Sequence, residues 1–199
     1  EQLAKDERLR SLSFQNVKVV PFLGTPGAIQ SDSWNTTTYS NTLATKVGNL
    51  LHCASYNLSA PMYVEGTKEK ELIESIDEIA KVLHMAETAD IALIGIGSMQ
   101  DDSSIIKAEI RTKEEYKELV RKGAVGEIVG RIYDKNGQTV DEDLKRKMVG
   151  ISLDKIAKIP VRVGMSYGKD KIEAIKGAIA GGLVNVLVTD VPTAELLLK

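Results

Sequence analysis

Apolar and polar residues along this 199-residue chain follow two periods, one typical of buried strands and one typical of amphipathic helices. The clearest strand is DIALIGIG, an almost wholly apolar run at residues 90–97 that ends in glycines. The stretch before it, Lys68–Thr88, places apolar side chains on one helical stripe. Strands that are apolar on both faces are typical of a parallel sheet covered by helices. The pattern therefore predicts an α/β domain.

The same alternation predicts further elements in both directions along the chain. The amphipathic segment Gln2–Leu12 precedes the first strand, and helices and strands alternate to the end. The predicted strands are Val17–Phe22, Ala54–Leu58, Val161–Met165 and Asn185–Asp190. The predicted helices are Trp34–Leu51, Thr112–Lys122, Ser152–Lys158, Asp170–Ala180 and a last one that begins at Pro192. We expect a single domain over residues 1–199 with a mainly parallel sheet and right-handed crossovers.

Two local signals give sharper expectations. Thr112 and Glu115 have the spacing of a capping box, and Gly123 stands where a left-handed residue ends a helix. Asn136-Gly137 favours a tight turn with positive φ at both centres. We therefore expect GEIVGRIYDKNGQTV to form a strand, a turn and a return strand, as a small hairpin beside the main sheet.

Composition and charge exclude several classes of protein. With 26 Lys and Arg against 28 Asp and Glu, the formal charge is −2, so the chain lacks the broad basic surface of a nucleic-acid binder. Its longest apolar runs fall far short of the roughly 20 residues that span a bilayer. The single cysteine, Cys53, excludes an intrachain disulfide and favours the cytoplasm. The start lacks both a secretory signal and an initiator Met, as expected of a fragment or a processed chain.

Candidate chemistry lies in the loops after the strands, because ligands of open parallel sheets bind outside the carboxyl ends of the strands. These loops are rich in glycine, hydroxyl or charged residues, and they begin near Gly24, Gly95, Ser166 and Thr189. GIGSMQ lacks the third glycine of a dinucleotide fingerprint, so no cofactor is predicted. Each glycine loop also fits a plain tight turn.

The polar side chains of these loops leave two interpretations open. Lys171 is either a ligand contact or part of a solvated helix face, and Glu127 is either an exposed strand start or an acceptor for sugar hydroxyls. Trp34 is either a helix cap, a stacking surface or a subunit contact. His52, His84 and Cys53 have no catalytic or metal-binding context, so neither a metal site nor catalytic residues are predicted.

The chain resembles the effector-binding domain of the SorC type of bacterial transcription regulators. The resemblance rests on segments that follow the family's order from Val17 to Lys199. They are VVPFLG, NTLATKVG, SAPMYV, ADIALIGIGS, GAVGEIVGRIYDKNGQTV, VGISLDKIAKIP and GKDKIEAIKGAIAGGLVNVLVTDVPTAELLL. Each segment is a weak motif, but together they are specific.

The resemblance implies a Rossmann-like sheet with helices on both faces, akin to sugar-phosphate isomerases and deaminases. It implies a domain that binds a phosphorylated sugar and thereby alters DNA binding by an N-terminal helix-turn-helix domain, in a homo-oligomer that is a dimer or a tetramer. No segment here resembles the helix-turn-helix domain. The family's first strand and its glycine-threonine phosphate turn are also absent from this chain.

Carried over position by position, the resemblance implies a set of ligand-binding residues. Glu127 takes the acidic place that contacts sugar hydroxyls, and Lys171 takes the place of a lysine that reaches a ligand phosphate. The full set is Gly24, Asn41, Gly95, Gly97, Arg111, Glu127, Tyr167, Gly168 and Lys171.

Three positions depart from the family pattern. Ser166-Tyr167-Gly168 replaces the familiar Ala-Gly-Gly, so a phenol narrows or lines the pocket. Leu23 stands where some members carry a basic residue for a second phosphate, and Lys147 replaces a common arginine. These changes favour a ligand with one phosphate.

Three functions compete on this sequence. A ligand-sensing domain fits best, and a sugar-phosphate isomerase or deaminase of the related fold is the alternative. Only Glu127 is a candidate for the base that such an enzyme needs, and no histidine lies near the four loops. A pure oligomerisation module does not explain so many glycine-rich strand ends. We therefore expect a non-enzymatic sensor.

Overall fold

The computed structural model describes residues 14, 16–26, 39–100, 103–107 and 109–199, without the side chain of Ser104. The predicted segment Gln2–Leu12 and Trp34 lie outside these residues. The described strands are β1 Lys18–Val19, β2 Ala54–Ser55, β3 Ile91–Gly95, β4 Gly97–Ser98, β5 Ala124–Ile128, β6 Arg131–Asp134, β7 Val161–Met165 and β8 Val186–Val188. The described helices are α1 Ser40–Leu51, α2 Thr67–Glu74, α3 Asp77–Glu87, α4 Ser104–Lys107, α5 Lys113–Arg121, α6 Glu142–Lys147, α7 Leu153–Ile156, α8 Ile172–Ala180 and α9 Val191–Leu197. A 3-10 turn, Lys169–Lys171, leads into α8.

The strands form two parallel sheets and one antiparallel sheet. β1 pairs with β2, and the central sheet has the order β3-β7-β8, with all strands parallel. β4, β5 and β6 form the antiparallel sheet. The α/β class and the parallel strands are therefore confirmed, but within the described residues the strands are divided among three sheets.

The main core lies between the central sheet and α8. Ala92 and Ile94 are fully buried on one face of β3, and they share a cluster with Ala174 and Ala178 of α8. The alternating positions are exposed, with Leu93 at 57%. Strand side chains alternate between faces, and β7, α8 and β8 form one crossover that lies on a single face. The described helices therefore cover only one face of this sheet, where helices on both faces were expected.

The antiparallel hairpin turns earlier than the sequence pattern predicted. β5 and β6 are joined at Val129-Gly130, where φ is 51° and 68°. Asn136-Gly137 also forms a turn, but only Gly137 has positive φ, and the return strand is reduced to a single bridge between Tyr133 and Thr139. Valine is disfavoured at positive φ, so the local sequence did not indicate the turn at Val129-Gly130. Contacts of Val129 with two apolar clusters offset that strain.

The helix ends predicted from cap residues agree with the structure better than the predicted length of the helix over 68–88. The capping box of α5 is present, with Thr112 accepting from the Glu115 backbone N–H at 3.2 Å, and Gly123 has a φ of 97°. The single helix expected over 68–88 is two helices that break at Ser75 and Ile76. Ile76 is extended, and the Ser75 hydroxyl donates to Leu72 O at 2.7 Å. Such a local hydrogen bond competes with helix continuation.

Candidate functional site

The carboxyl ends of β3, β7 and β8 are held together by hydrogen bonds. Gly95 lies opposite Met165, and the Ile96 N–H donates to Met165 O at 3.3 Å. The Ser166 hydroxyl donates to Ile96 O at 3.0 Å, and its backbone N–H donates to Val188 O at 3.2 Å. The loop after β7 is therefore fixed between the ends of its two neighbours.

That loop presents open backbone at its glycine. Gly168 has a φ of 105°, and a Cβ atom there would meet nothing within 4 Å, so a ligand can approach its backbone. Its N–H donates to the Thr193 hydroxyl at 2.8 Å. Tyr167 is 74% exposed beside it, in a position to line the approach to the edge.

Lys171 ends the 3-10 turn and is the N-cap residue of α8. No side chain caps this helix, but the 3-10 turn continues directly into it, with the Lys171 N–H donating to Gly168 O and the Ile172 N–H to Lys169 O. The positive end of the helix dipole therefore lies at the start of the 3-10 turn, and the exposed acid Glu173 follows in the first turn of α8. An ammonium group beside an uncapped helix start is an arrangement that suits an anion.

Glu127 lies directly across from Gly97 in the antiparallel pair of β4 and β5. Glu127 is only 9% exposed, which corrects the simpler expectation of an exposed carboxylate at a strand start. Burial, and then the charge of Glu127, raise the pKa of Tyr133, whose hydroxyl donates to Ala174 O at 2.9 Å. Strand pairing and backbone hydrogen bonds thus join two groups of predicted residues. One group is Gly95, Gly97 and Glu127, and the other is the loop of Tyr167, Gly168 and Lys171.

Asn41 lines an open cleft, and Gly24 precedes another residue of its lining. This cleft has a volume of about 480 Å³ and is lined by residues of polar type: Thr25, Asn41, Thr42, Thr45, Lys46, Asn57 and Ser59. The Asn41 amide donates to Leu58 O at 3.1 Å and accepts from the Leu58 N–H at 2.9 Å. A Cβ atom on Gly24 would lie 2.5 Å from Pro61 O, so glycine is required there for packing. Ligand contacts of Gly24 and Asn41 remain predictions.

Arg111 is engaged in an internal ion pair. Its guanidinium donates to both carboxylate oxygens of Asp141, at 2.9 and 3.1 Å, and to Asp143 at 2.9 Å. Burial alone would lower the pKa of Arg111, but the hydrogen bonds and charges of Asp141 and Asp143 raise it above its ordinary value. This pair joins the segment before α5 to the start of α6. A ligand contact of Arg111 stays a prediction.

Three polar side chains with buried atoms are not among the residues predicted to bind a ligand, although two of them lie in the predicted loops. Arg131 is 3% exposed and donates to the carbonyl oxygens of Met148, Gly150 and Ile151, and burial lowers its pKa to about 10. Ser98 and Thr189 each bury a hydroxyl oxygen that lacks a hydrogen-bond partner among the described residues. Their types are common in any loop, so only burial distinguishes them.

The described part of the chain holds no group of three or more His, Cys, Asp or Glu side chains that could bind a metal ion. Among the same residues, no helix is long and apolar enough to cross a bilayer.

Comparison with known proteins identifies the family. Residues 4–199 match the family model described as "Putative sugar-binding domain". The transcriptional regulator LsrR of Escherichia coli O9:H4 is 35% identical over 159 residues, which is 78% of this chain and 50% of that protein. The chain thus spans about half the length of this curated relative.

Solved structures agree with this match. The full-length sorbitol operon regulator SorC from Klebsiella pneumoniae has a TM-score of 0.84 at 30% identity, covering 96% of this chain and 60% of that one. A DeoR family transcriptional regulator from Listeria monocytogenes has a TM-score of 0.81 at 25% identity, covering 98% and 81%. These proteins are named as regulators, which supports a sensing domain and not the alternative isomerase. The resemblance predicted from sequence is confirmed: the chain belongs to the family of sugar-binding domains of SorC- and DeoR-type transcription regulators.

Proposed function

We propose that this chain is the effector-sensing domain of a bacterial transcription regulator and that its effector is a phosphorylated sugar. One observation carries the location of the site: the Ser166 hydroxyl bonds Ile96 O and so joins the Gly95 and Tyr167 loops at one sheet edge. Family membership supports a sugar as the ligand. The names of the relatives support a role in transcription control.

The two ends of the ligand contact different residues. A sugar phosphate carries a dianion at one end and neutral hydroxyls along the rest. Lys171 and the uncapped start of α8 bind the phosphate, because both favour negative charge. Glu127 accepts hydrogen bonds from the sugar hydroxyls. Gly95, Gly97 and Gly168 leave room for the ligand to approach the backbone, and Leu23 in place of a basic residue favours a single phosphate.

In the whole regulator, we expect effector binding by this domain to control DNA binding by another domain. Residues 1–199 form one Rossmann-like domain, and a helix-turn-helix domain elsewhere in a cytoplasmic homo-oligomer, a dimer or a tetramer, contacts the DNA. The domain performs no catalysis. Among the residues that the structure describes, no evident acid and base pair lies at the sheet edge, which supports that assignment.

A thermal-shift screen against sugar phosphates tests the proposal. A ligand at 100 times its Kd raises the free energy of unfolding by about 2.7 kcal/mol, and the matching unphosphorylated sugars serve as controls. We expect stabilisation by at least one phosphorylated sugar and little by its unphosphorylated form. No response to any sugar phosphate in a broad panel would refute the proposal.

Calorimetric titration then tests whether Lys171 binds the phosphate and Glu127 binds the sugar hydroxyls. Lys171→Ala weakens binding of a sugar phosphate and of inorganic phosphate alike, by about 1.5–3 kcal/mol for a lost charge-assisted bond. Glu127→Gln changes the preference among sugars and leaves inorganic phosphate binding nearly constant. Equal losses for both ligands in Glu127→Gln would refute the roles assigned here.

A further inference from the structure

Ser98 carries a buried hydroxyl that the arrangement above does not use. This residue is 6% exposed, and its Oγ atom has no hydrogen-bond partner among the described residues. Buried polar atoms in folded proteins are nearly always hydrogen-bonded. A serine in this position therefore calls for a partner from outside the chain.

The register of the antiparallel sheet shows where this hydroxyl points. Ser98 pairs with Gly126, so their side-chain positions lie on the same face. A Cβ atom on Gly126 would lie closest to the hydroxyl end of Tyr133, and 2.8 Å from the Cβ atom of Ala174, the third residue of α8. That face is thus turned toward the first turn of α8 and toward the Tyr133 ring, whose hydroxyl already donates to Ala174 O.

Thr189 supplies a second buried hydroxyl without a partner on the other side of the same loop. It follows β8 directly, next to Val188, whose carbonyl accepts the Ser166 N–H at 3.2 Å. The neighbouring hydroxyls of Ser166 and Thr193 already bond Ile96 O and the Gly168 N–H. Of the four serine and threonine hydroxyls around the loop in the described part of the chain, those of Ser98 and Thr189 have no partner within the fold.

The polar and charged groups around these two hydroxyls favour an oxyanion as the ligand. A hydroxyl can donate to an anionic oxygen without adding charge of its own. Lys169 and Lys171 stand at the helix start, and Asp170 between them and Glu173 after them are exposed to solvent, where their repulsion is screened. The nearby Asp190 carboxylate accepts the Thr193 N–H at 3.1 Å and is likewise exposed to solvent.

We propose that the Ser98 and Thr189 hydroxyls donate hydrogen bonds to the phosphate oxygens of the effector, and so select phosphorylated over unphosphorylated sugars. This inference rests on the proposed function. It adds two residues that bind the phosphate from the flanking strands, on either side of the contacts made by Lys171 and α8. A phosphate held in this way would be surrounded by donors from β4, α8 and the end of β8.

The test measures inorganic phosphate binding by calorimetry for the 199-residue chain and for Ser98→Ala, Thr189→Val and Ser55→Ala. Ser55 is exposed in β2 and does not line the Thr25 cleft, so its variant is the matched control. We expect each of the first two substitutions to weaken phosphate binding about tenfold or more, as for a lost hydrogen bond to a charged group, and Ser55→Ala to leave it unchanged. Binding of an unphosphorylated sugar should be unaffected in all three.

Thermal unfolding without ligand separates binding from a structural role. Ser98→Ala removes no bond in the ligand-free chain, so its melting temperature should stay unchanged or rise. A lower melting temperature together with wild-type phosphate affinity would overturn the inference, because the hydroxyl would then hold internal water. Wild-type affinity for a sugar phosphate in Ser98→Ala and Thr189→Val would also overturn it while leaving the proposed function intact. Absence of all sugar-phosphate binding by the unaltered chain would refute the proposed function itself.

Discussion

The contact between α8 and the turn after β6 is close enough that a single methyl group should disrupt it. A Cβ atom on Gly181 would lie 2.5 Å from Gly137 Cα, 2.8 Å from Asn136 O and 3.1 Å from Gly137 N. All three are backbone atoms, which no change of rotamer can move away. Gly181 itself has a φ of −79°, which any residue adopts, so Gly181→Ala tests packing without backbone strain.

The expected cost follows from two opposing effects. Forcing an extra carbon into a packed contact costs about 1–3 kcal/mol. Replacing glycine by alanine at an ordinary φ also restricts the unfolded chain, which stabilises the protein by about 0.4–1 kcal/mol. We therefore expect Gly181→Ala to lower the free energy of unfolding by about 1–2 kcal/mol. For a domain of this size, the melting temperature falls by about 2–8 °C.

Urea and thermal unfolding monitored by circular dichroism measure this change. Gly95→Ala is the matched control, because a Cβ atom there would meet nothing within 4 Å, and we expect its stability to be unchanged or slightly higher. An unaltered midpoint for Gly181→Ala would show that the turn yields at no cost. The close approach of the two glycines would then contribute nothing to holding the hairpin on α8.

Three further substitutions test the internal polar contacts. Arg131→Lys replaces a guanidinium that bonds three backbone carbonyls with a single ammonium, and should lower the free energy of unfolding by about 1–3 kcal/mol in urea titrations. Glu115→Gln should make the free energy of unfolding depend less on pH in the acid range. The hydrogen bond from the Thr112 backbone N–H lowers the Glu115 pKa, so this carboxylate stabilises the fold above its unfolded-state pKa. That stability is lost as the pH falls through the folded-state pKa. Glu74→Gln should change the pH dependence of stability in the opposite direction. Burial raises the Glu74 pKa despite the charge of Lys70, so the native carboxyl destabilises the fold as pH rises through its range, and the variant should lose that slope.

Elements with a strong local signal could be predicted from the sequence. The strand Val161–Met165 and the capped helix after Thr112 have the expected positions, because their apolar runs and cap residues determine them locally. The turn at Val129-Gly130 could not be predicted. Its valine is held at positive φ by contacts with two apolar clusters, and such long-range contacts leave no trace in the local sequence.

Sequence spacing predicted that the strand ends meet at one edge of the sheet, but it could not show which polar groups are already bonded within the fold. Asn41 and Arg111 have the polar character of ligand contacts, yet in the structure their donors bond Leu58 O, Asp141 and Asp143. The reverse holds for Ser98, an ordinary loop serine in the sequence whose hydroxyl is buried without a partner. Donor and acceptor capacity is a property of residue type, whereas its use depends on which atoms lie within about 3 Å after folding. Unused capacity at a buried position is therefore a more specific sign of a binding residue than polar character at the end of a strand.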